Sequence, residues 1–302
     1  MIEIGTAVTS LKKGDFVVTM VRRPCHHLSC IACQSEQQDF CYTGEFKERG
    51  INGLHGFMAE YVVDDEKYMV RVPPQLKDIA ILTEPLTIAE KAVREIYTIQ
   101  ERLPWLKNVK TGKPYVHRSL VIGAGPVGLL AALVFSRYEF KTYVYSLELP
   151  TDSRAKIAVM LGADYISAKK DTIDQLSNYI VGNLDVIFDG SGASKLAFDL
   201  TKLLGYNGIF VWAGIPGHKE SIDLHAGTLM RNIVLKNQSI VGSVNASRVD
   251  FQSAVQHLEA LSQKLQSMNL KLVTRFSPEC YEDLLLKPPA VDVFKAVIHF
   301  GL

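Results

Sequence analysis

The sequence has almost no net charge and no long apolar run. Its 33 Lys and Arg residues are balanced by 32 Asp and Glu residues, which leaves a formal net charge of +1. A balance this even predicts neither nucleic acid nor an anionic membrane as a partner. The longest apolar stretch, around residues 129–135, is far too short to span a bilayer. At 302 residues, the chain is long enough for two hydrophobic cores.

Cysteine is scarce except in one short segment. Four of the five cysteines form Cys25-x4-Cys30-x2-Cys33-x7-Cys41, and only Cys280 lies elsewhere. Residues 1–5 contain neither a basic region nor a cleavable apolar segment, so the sequence predicts a cytoplasmic protein, in which thiols stay reduced. Two disulfides are therefore a less favoured interpretation than one structural zinc ion bound by these four thiolates.

The pattern of the chain predicts two kinds of structure. Residues 15–21 and 56–63 are typical of short strands bounded by turns, and short strands with Gly and Pro turns predict a small barrel-like or sandwich-like domain. Apolar residues at helical spacing follow in 88–96, and strands then alternate with helices as in a doubly wound parallel sheet. The predicted strands are 119–122, 142–145, 186–188, 209–212 and 239–241, and the predicted helices are 127–138 and 155–161. An amphipathic helix is predicted from residue 250, and a final strand at 296–300 is expected to rejoin the N-terminal sheet.

A glycine-rich loop joins the first strand of that sheet to its helix. Gly123-Ala124-Gly125-Pro126-Val127-Gly128 matches GxGxxG between a strand and a helix. Gly123 permits the tight turn, Gly125 lets the backbone approach a pyrophosphate, and Gly128 lets the helix pack closely on the strand. The start of the helix, at Pro126 and Val127, offers free N–H groups to the phosphates. The loop predicts a bound NADP or NAD.

The end of the second strand selects between these two cofactors. Ser146 stands where an acidic residue would hold the ribose 2′-hydroxyl of NAD and repel the phosphate of NADP. Arg154 or Lys156 would suit a 2′-phosphate, whereas Glu148 argues the other way. On balance the sequence favours NADP slightly and leaves the use of both open.

These motifs together resemble the medium-chain zinc dehydrogenases of the alcohol dehydrogenase superfamily, most closely the glucose dehydrogenases of archaea and bacteria. The resemblance runs over nearly the whole chain and is carried by the cysteine segment, the glycine loop, and residues 22–25, 39–46, 56–61, 83–86, 90–92 and 242–246. It implies a Rossmann-type α/β fold with a β-rich GroES-like domain. The implied domains are a truncated GroES-like domain at 1–89, a nucleotide domain at 90–248, and a returning segment at 249–302.

The resemblance also implies roles for single residues. Glu48 and Asn245 are expected to contact sugar hydroxyls, Asn245 lying near the nicotinamide as well, and Glu84 is the position that matches a catalytic zinc ligand. The family's first cysteine gap is two residues shorter, so His27 is a rival to Cys25 as the zinc ligand. The family's Cys and His-Glu ligands of the catalytic zinc belong to a part that this chain does not contain.

The implied reaction is the oxidation of an aldose to its lactone with transfer of hydride to NAD(P). Because one carboxylate does not make a catalytic zinc site, we expect this activity to be impaired in the 302-residue chain. The alternatives are a nucleotide-binding protein without catalysis and a gene fragment of a zinc alcohol dehydrogenase. A homodimer or homotetramer is expected only by analogy with the family.

Overall fold

The computed structural model describes residues 1–104, 116–219, 221–268, 272–287 and 293–301. It contains two units, Ile88–Ser243 and Met1–Thr87 with Val244–Leu302. The strands are β1 Phe16–Thr19, β2 Arg22–Arg23, β3 Lys47–Arg49, β4 Gly53–Leu54, β5 Met69–Val72, β6 Arg118–Ile122, β7 Lys141–Ser146, β8 Asp164–Ser167, β9 Val186–Asp189, β10 Ile209–Trp212, β11 Ser239–Gly242, β12 Val273–Phe276 and β13 Lys295–Ile298. The helices are α1 Ile31–Gln34, α2 Thr83–Gln100, α3 Pro126–Arg137, α4 Ser153–Met160, α5 Ser194–Leu200, α6 Ala226–Leu235, α7 Arg248–Met268 and α8 Tyr281–Leu286.

A parallel sheet of six strands forms the centre of the unit Ile88–Ser243. Its strand order is β11-β10-β9-β6-β7-β8, and every neighbouring pair is parallel. The order reverses between β6 and β9, which is the switch point where doubly wound sheets bind nucleotides at the carboxyl ends of their strands. The predicted doubly wound parallel sheet is confirmed.

The burial of these strands on both faces explains why short apolar runs in the sequence predict them. Strands of a parallel sheet are covered on both faces, so they lack the alternation of a half-exposed strand. All four residues of β9 are buried, and α3 is buried continuously from Gly128 to Phe135. None of the described helices is both long enough and apolar enough to cross a membrane.

Three small sheets belong to the other unit. Strand β1 pairs with β5 in antiparallel register, from Phe16 opposite Val72 to Thr19 opposite Met69. Strands β2, β3 and β4 form a second sheet, and β12 and β13 form a parallel pair. Helix α7 packs on β5 through its apolar stripe, which includes the fully buried Phe251 and Leu258.

The prediction of a strand at 56–63 is wrong. The segment has no regular secondary structure, and its Met58, Tyr61 and Val63 are exposed. A strand needs a neighbour to satisfy its backbone groups, and within the described residues β1 pairs with β5 and not with this segment. The apolar residues of 56–63 and the turn signal after them predicted a strand, but the segment lacks the partner that a strand requires.

The expectation for the last strand is also wrong in part. Strand β13 exists at Lys295–Ile298, but it pairs with β12 and not with a strand of the N-terminal segment. The sequence pattern missed β12 itself, as well as β2, β3, β4, β5, β8, α1, α5, α6 and α8. Strand pairing depends on contacts between residues far apart in the chain, so a local pattern predicts the strand and not its neighbour.

Glu66 ties the first residues of the chain to the segment before β5. Its carboxylate accepts hydrogen bonds from the hydroxyl of Ser10 at 2.6 Å, and from the backbone N–H groups of Ser10 at 2.9 Å and Thr9 at 3.0 Å. The Ser10 hydroxyl, the Ser10 N–H and the Thr9 N–H lower the pKa of Glu66 to about 2. Hydrogen bonds to the charged form have this effect because protonation removes the acceptor.

We expect the Glu66→Gln variant to loosen residues 1–15 at neutral pH. Because the folded-state pKa is lowered, the stabilisation is complete above the usual pKa of 4.5 and is lost as the pH falls towards about 2. Hydrogen exchange at pH 7 should therefore be faster in residues 1–15 of the variant. Glu3→Gln, which changes an exposed carboxylate of the same segment, is the matched control. Equal protection in Glu66→Gln and Glu3→Gln would contradict this role.

Candidate functional site

The four clustered cysteines converge on one point. The sulfur atoms of Cys25, Cys30, Cys33 and Cys41 all lie within 4.8 Å of one another, and no other group of three or more potential metal ligands occurs among the described residues. Cys30 Sγ lies 3.9 Å from Cys41 Sγ, and all of the cysteines are free thiols. A Zn–S bond of about 2.3 Å in a tetrahedron gives sulfur separations of about 3.8 Å, so the arrangement fits zinc.

Helix α1 and its flanking turns bring these thiols together. Cys30 directly precedes α1 and Cys33 lies within it, so one helical turn presents both sulfurs. The backbone N–H of Cys25 donates to Cys33 Sγ at 3.4 Å, and Cys41 Sγ lies 3.3 Å from the Thr43 hydroxyl. Such donors favour the thiolate form that a metal ion binds.

The protonation of the cluster reflects four thiols in a small volume. Burial raises the pKa of Cys33 to about 12. Burial opposes ionisation of Cys41 as well, but the hydrogen bonds from Thr43 outweigh it and lower the pKa to about 6. Four thiolates this close repel one another, so a cation is needed for all of them to ionise.

His27 lies outside this cluster. Its Nε2 atom is 2.8 Å from a carboxylate oxygen of Glu45, and both side chains are largely exposed. Cys25, by contrast, is buried with its sulfur among the other three. The geometry therefore favours Cys25 over His27 as the fourth ligand.

The glycine loop lies between β6 and α3, beside the switch point of the sheet. Gly123 has φ +95°, a backbone conformation that other residues rarely adopt. A Cβ atom on Gly128 would lie 2.0 Å from the carbonyl oxygen of Gly123, so only glycine fits there. A Cβ on Gly125 would have no atom within 4 Å, which leaves open space at the start of α3. Pro126 is the first residue of that helix, whose free N–H groups at Val127 and beyond suit a phosphate.

Ser146 connects this loop to the end of β7. Its hydroxyl accepts a hydrogen bond from the backbone N–H of Ala124 at 3.0 Å and donates to Glu148 Oε2 at 2.6 Å. The Glu148 carboxylate also lies 3.5 Å from the guanidinium of Arg154. The carboxylate of Glu148, which in the sequence argues against a 2′-phosphate, therefore lies against the Ser146 hydroxyl and the Arg154 guanidinium.

Glu48 is a buried, ion-paired carboxylate and not a surface group. Its Oε1 atom accepts hydrogen bonds from Arg22 Nε at 3.0 Å and from the side-chain amide of Asn245 at 2.7 Å. Arg22 is itself held by the carbonyl of Asp39 at 3.0 Å and lies 3.7 Å from the centre of the Phe46 ring. Sequence reasoning paired Glu48 and Asn245 by function but missed Arg22, because antiparallel pairing of β2 with β3 places it opposite Glu48.

Asn245 has the left-handed backbone conformation, with φ +60°. Asparagine tolerates this conformation better than most residues. It does not cap α7, since Ser247 fills that position. The hydroxyl and the N–H of Ser247 both donate to Asp250 Oδ2 at 2.8 Å, and the bond from the N–H is the one that an N3 side chain accepts in a capping box. The Asn245 side chain is therefore free of a capping role and directed to Glu48.

Glu84 is exposed near the start of α2. The protein atoms around its carboxyl group raise its pKa by desolvation, and the charge of Lys295 acts in the opposite direction. Glu84 does not belong to any group of three potential metal ligands among the described residues. Glu84 therefore offers one carboxylate ligand, which does not make a zinc site by itself.

Two family models match the chain in succession. The model described as "Alcohol dehydrogenase GroES-like domain" matches residues 1–74, and the model described as "Glucose dehydrogenase C-terminus" matches residues 77–285. Together they cover both units of the fold.

Similar proteins of known name agree with these family models. The chain is 33% identical to glucose 1-dehydrogenase of Methanocella arvoryzae, over 90% of this chain and 73% of that protein. It is 36% identical to glucose 1-dehydrogenase 2 of Vulcanisaeta moutnovskia, over 91% and 72%. Among solved structures, glucose dehydrogenase of Haloferax mediterranei in complex with NADP, Zn and gluconolactone matches with a TM-score of 0.81 and 27% identity, covering 97% of this chain and 79% of that one.

Proposed function

The chain belongs to the glucose dehydrogenase family of the zinc-dependent alcohol dehydrogenase superfamily, and on that premise we propose that it acts on an aldose with NAD(P) as the oxidant. In this reaction the anomeric carbon loses a hydride to the cofactor and the anomeric hydroxyl loses a proton, which gives the lactone, NAD(P)H and a proton. The single observation that carries the proposal is the glycine loop at the switch point of the sheet, in a chain whose relatives are glucose 1-dehydrogenases.

The loop and α3 are proposed to bind the pyrophosphate of the cofactor. Gly125 leaves room for a phosphate against the backbone, and the partial positive charge of the α3 N-terminus favours it. Gly123 and Gly128 hold the turn in the shape that makes this approach possible. When bound, the nicotinamide accepts the hydride. In enzymes that hold a catalytic zinc, that ion polarises the reacting hydroxyl.

Glu48 and Asn245 are proposed to bind sugar hydroxyls. Both protein contacts of the Glu48 carboxylate use Oε1, so among the described residues Oε2 has no protein donor and can accept from a hydroxyl. Arg22 and Asn245 fix the orientation of the carboxylate before a sugar arrives. A carboxylate held in this way recognises a hydroxyl group without losing further side-chain entropy.

The four cysteines are proposed to hold a structural zinc ion. Their donor set is closed, with four protein sulfurs and no open position, as in structural sites. Glu84 offers one ligand of the three that a catalytic zinc usually takes from the protein, so no step of the reaction is assigned to a zinc ion in these 302 residues.

This count of ligands supports a second candidate function. A polypeptide of these 302 residues that binds nucleotide but turns over sugar slowly is in practice a nucleotide-binding protein. The same glycine loop supports both candidates, and only the rate of turnover separates them.

We expect the 302-residue polypeptide to bind NADH or NADPH, and to oxidise glucose with kcat below about 1 s⁻¹, under the ordinary range of roughly 1–1,000 s⁻¹. Cofactor fluorescence measures the binding, and the absorbance of the reduced nicotinamide measures the rate. Methyl glucoside, in which the anomeric hydroxyl is blocked, is the control substrate and should give no reduced cofactor. Failure to bind either nucleotide would contradict the proposed function, whereas an ordinary kcat would contradict only the slow turnover.

A further inference from the structure

We propose that Glu148 is the ribose-selecting residue of this chain and that it makes NAD(H) the tighter-bound cofactor, with Arg154 as its charge partner. The inference rests on the proposed function, because it assumes that the glycine loop binds a dinucleotide. The sequence placed the ribose-selecting role at Ser146, whereas the structure points to Glu148, two residues further along the chain.

The position of Glu148 relative to the loop is the first argument. A single hydroxyl, that of Ser146, links the backbone N–H of Ala124 in the loop to the Glu148 carboxylate, over distances of 3.0 and 2.6 Å. In dinucleotide-binding sheets the ribose of the adenosine half lies beside the loop at the end of the second strand, where an acidic group accepts its 2′-hydroxyl. The carboxylate of Glu148 reaches back to this point from two residues beyond β7.

The rigidity of Glu148 is the second argument. Its backbone carbonyl accepts hydrogen bonds from Tyr165 at 2.8 Å and from Ser167 at 2.7 Å, so the backbone is held as well as the carboxylate. Burial and the nearby Glu148 charge raise the pKa of Tyr165, which keeps its hydroxyl protonated and donating. A carboxylate fixed from both ends binds a hydroxyl with little loss of side-chain freedom.

Charge is the third argument. The side chains of Glu148 and Arg154 are only 17% and 22% exposed, so their interaction is less screened than that of a surface pair. A 2′-phosphate would bring its negative charge against Glu148 and would compete with that carboxylate for Arg154. A 2′-hydroxyl would donate to Glu148 and leave the pair intact. The arrangement therefore favours NAD(H) over NADP(H), although Arg154 retains the means to bind the phosphate.

Titrations with NADH and NADPH, followed by cofactor fluorescence, test this specificity directly. The wild-type chain should bind NADH more tightly than NADPH. In Glu148→Gln the repulsion is absent and Arg154 loses its partner, so NADPH should bind about tenfold more tightly and NADH less tightly than in the wild type. In Arg154→Gln the NADPH affinity should fall about tenfold while the NADH affinity changes less than about threefold.

Two further variants distinguish a change of specificity from a general loss of structure. Ser146→Ala removes the positioning hydroxyl, so it should shift the NADH to NADPH ratio in the same direction as Glu148→Gln but by less. Asp164→Asn changes an exposed carboxylate at the start of β8 in the same sheet and should leave the ratio unchanged.

These titrations test the specificity inference and the proposed function separately. Tighter binding of NADPH by the wild type, or an unchanged ratio in Glu148→Gln, would overturn the inference and leave the proposed function intact. Absence of binding for both nucleotides in a folded wild-type chain would overturn the proposed function and this inference with it.

Discussion

Loss of one cluster cysteine, as in Cys33→Ala, is expected to abolish binding of the proposed zinc ion and to unfold residues 24–46. This lobe has no apolar core of its own: its buried cluster consists of Cys25, Cys30 and Cys33, with Ala32 and Cys41 packed against them. The larger apolar side chains nearby are exposed, Leu28 by 88% and Ile31 by 74%. The proposed zinc ion would therefore supply the stability of this segment, since structural zinc contributes about 10–16 kcal/mol of binding free energy in small zinc-dependent domains.

Zinc content and hydrogen exchange measure this effect together. The wild type should contain about one zinc per chain, whereas Cys33→Ala should contain close to none and should lose exchange protection in residues 24–46. Cys280→Ser removes the cysteine outside the cluster and serves as the matched control, with full zinc content. His27→Ala should also keep its zinc, because His27 contacts Glu45 and not the cluster. Full zinc content in Cys33→Ala, or its loss in His27→Ala, would show that the ligand set is wrong.

Two glycine substitutions in the nucleotide loop should separate stability from cofactor binding. Gly128→Ala places a Cβ atom 2.0 Å from the carbonyl oxygen of Gly123, and this backbone contact forces α3 away from β6. We expect a loss of about 3 kcal/mol or more in the free energy of unfolding, at the upper end for overpacking. Gly125→Val meets no atom within 4 Å near its Cβ, so the fold should be retained while the pyrophosphate site is blocked.

Chemical denaturation and cofactor fluorescence separate the two variants. Gly125→Val should unfold within about 1 kcal/mol of the wild type and bind NADH at least about a hundredfold more weakly, since a blocked phosphate loses charge-assisted hydrogen bonds to the backbone. Gly227→Val, at a helical glycine with open space around its Cβ, is the control for a valine elsewhere in the same unit. Undiminished NADH affinity in Gly125→Val would exclude the loop as the pyrophosphate site.

Local patterns predicted β6, β9 and β10 of the unit Ile88–Ser243 well because most residues of these strands are buried. Each contains an apolar run of three or four residues, and the glycine motif between β6 and α3 marks both ends of a turn. Segments with mixed burial were predicted less well. Helix α6 has no buried residue, and 56–63 has the composition of a strand without pairing with one.

In the candidate site as well, contacts between residues close in sequence were predictable and contacts between distant residues were not. The spacing of the cysteines was enough to predict a metal site, because ligands close in sequence are close in space. Resemblance associated Glu48 with Asn245, but their 2.7 Å contact joins residues 197 positions apart. No spacing rule predicts such a contact, nor the buried pairing of Glu48 with Arg22, because both depend on how distant segments pack.

The sequence by itself determined the family, because the motifs that carry it are spread along nearly the whole chain. It also predicted the glycine loop and a metal site at the cysteine segment, since each of these depends on residues within one short segment. Only the tertiary structure favours Cys25 over His27, because the Cys25 sulfur lies among the other three whereas His27 contacts Glu45. The proposal that Glu148 is the ribose-selecting residue also depends on the tertiary structure. The hydroxyls of Ser146 in β7 and Tyr165 in β8 donate to the Glu148 carboxylate, and Arg154 of α4 pairs with it; these elements meet only when the sheet is formed.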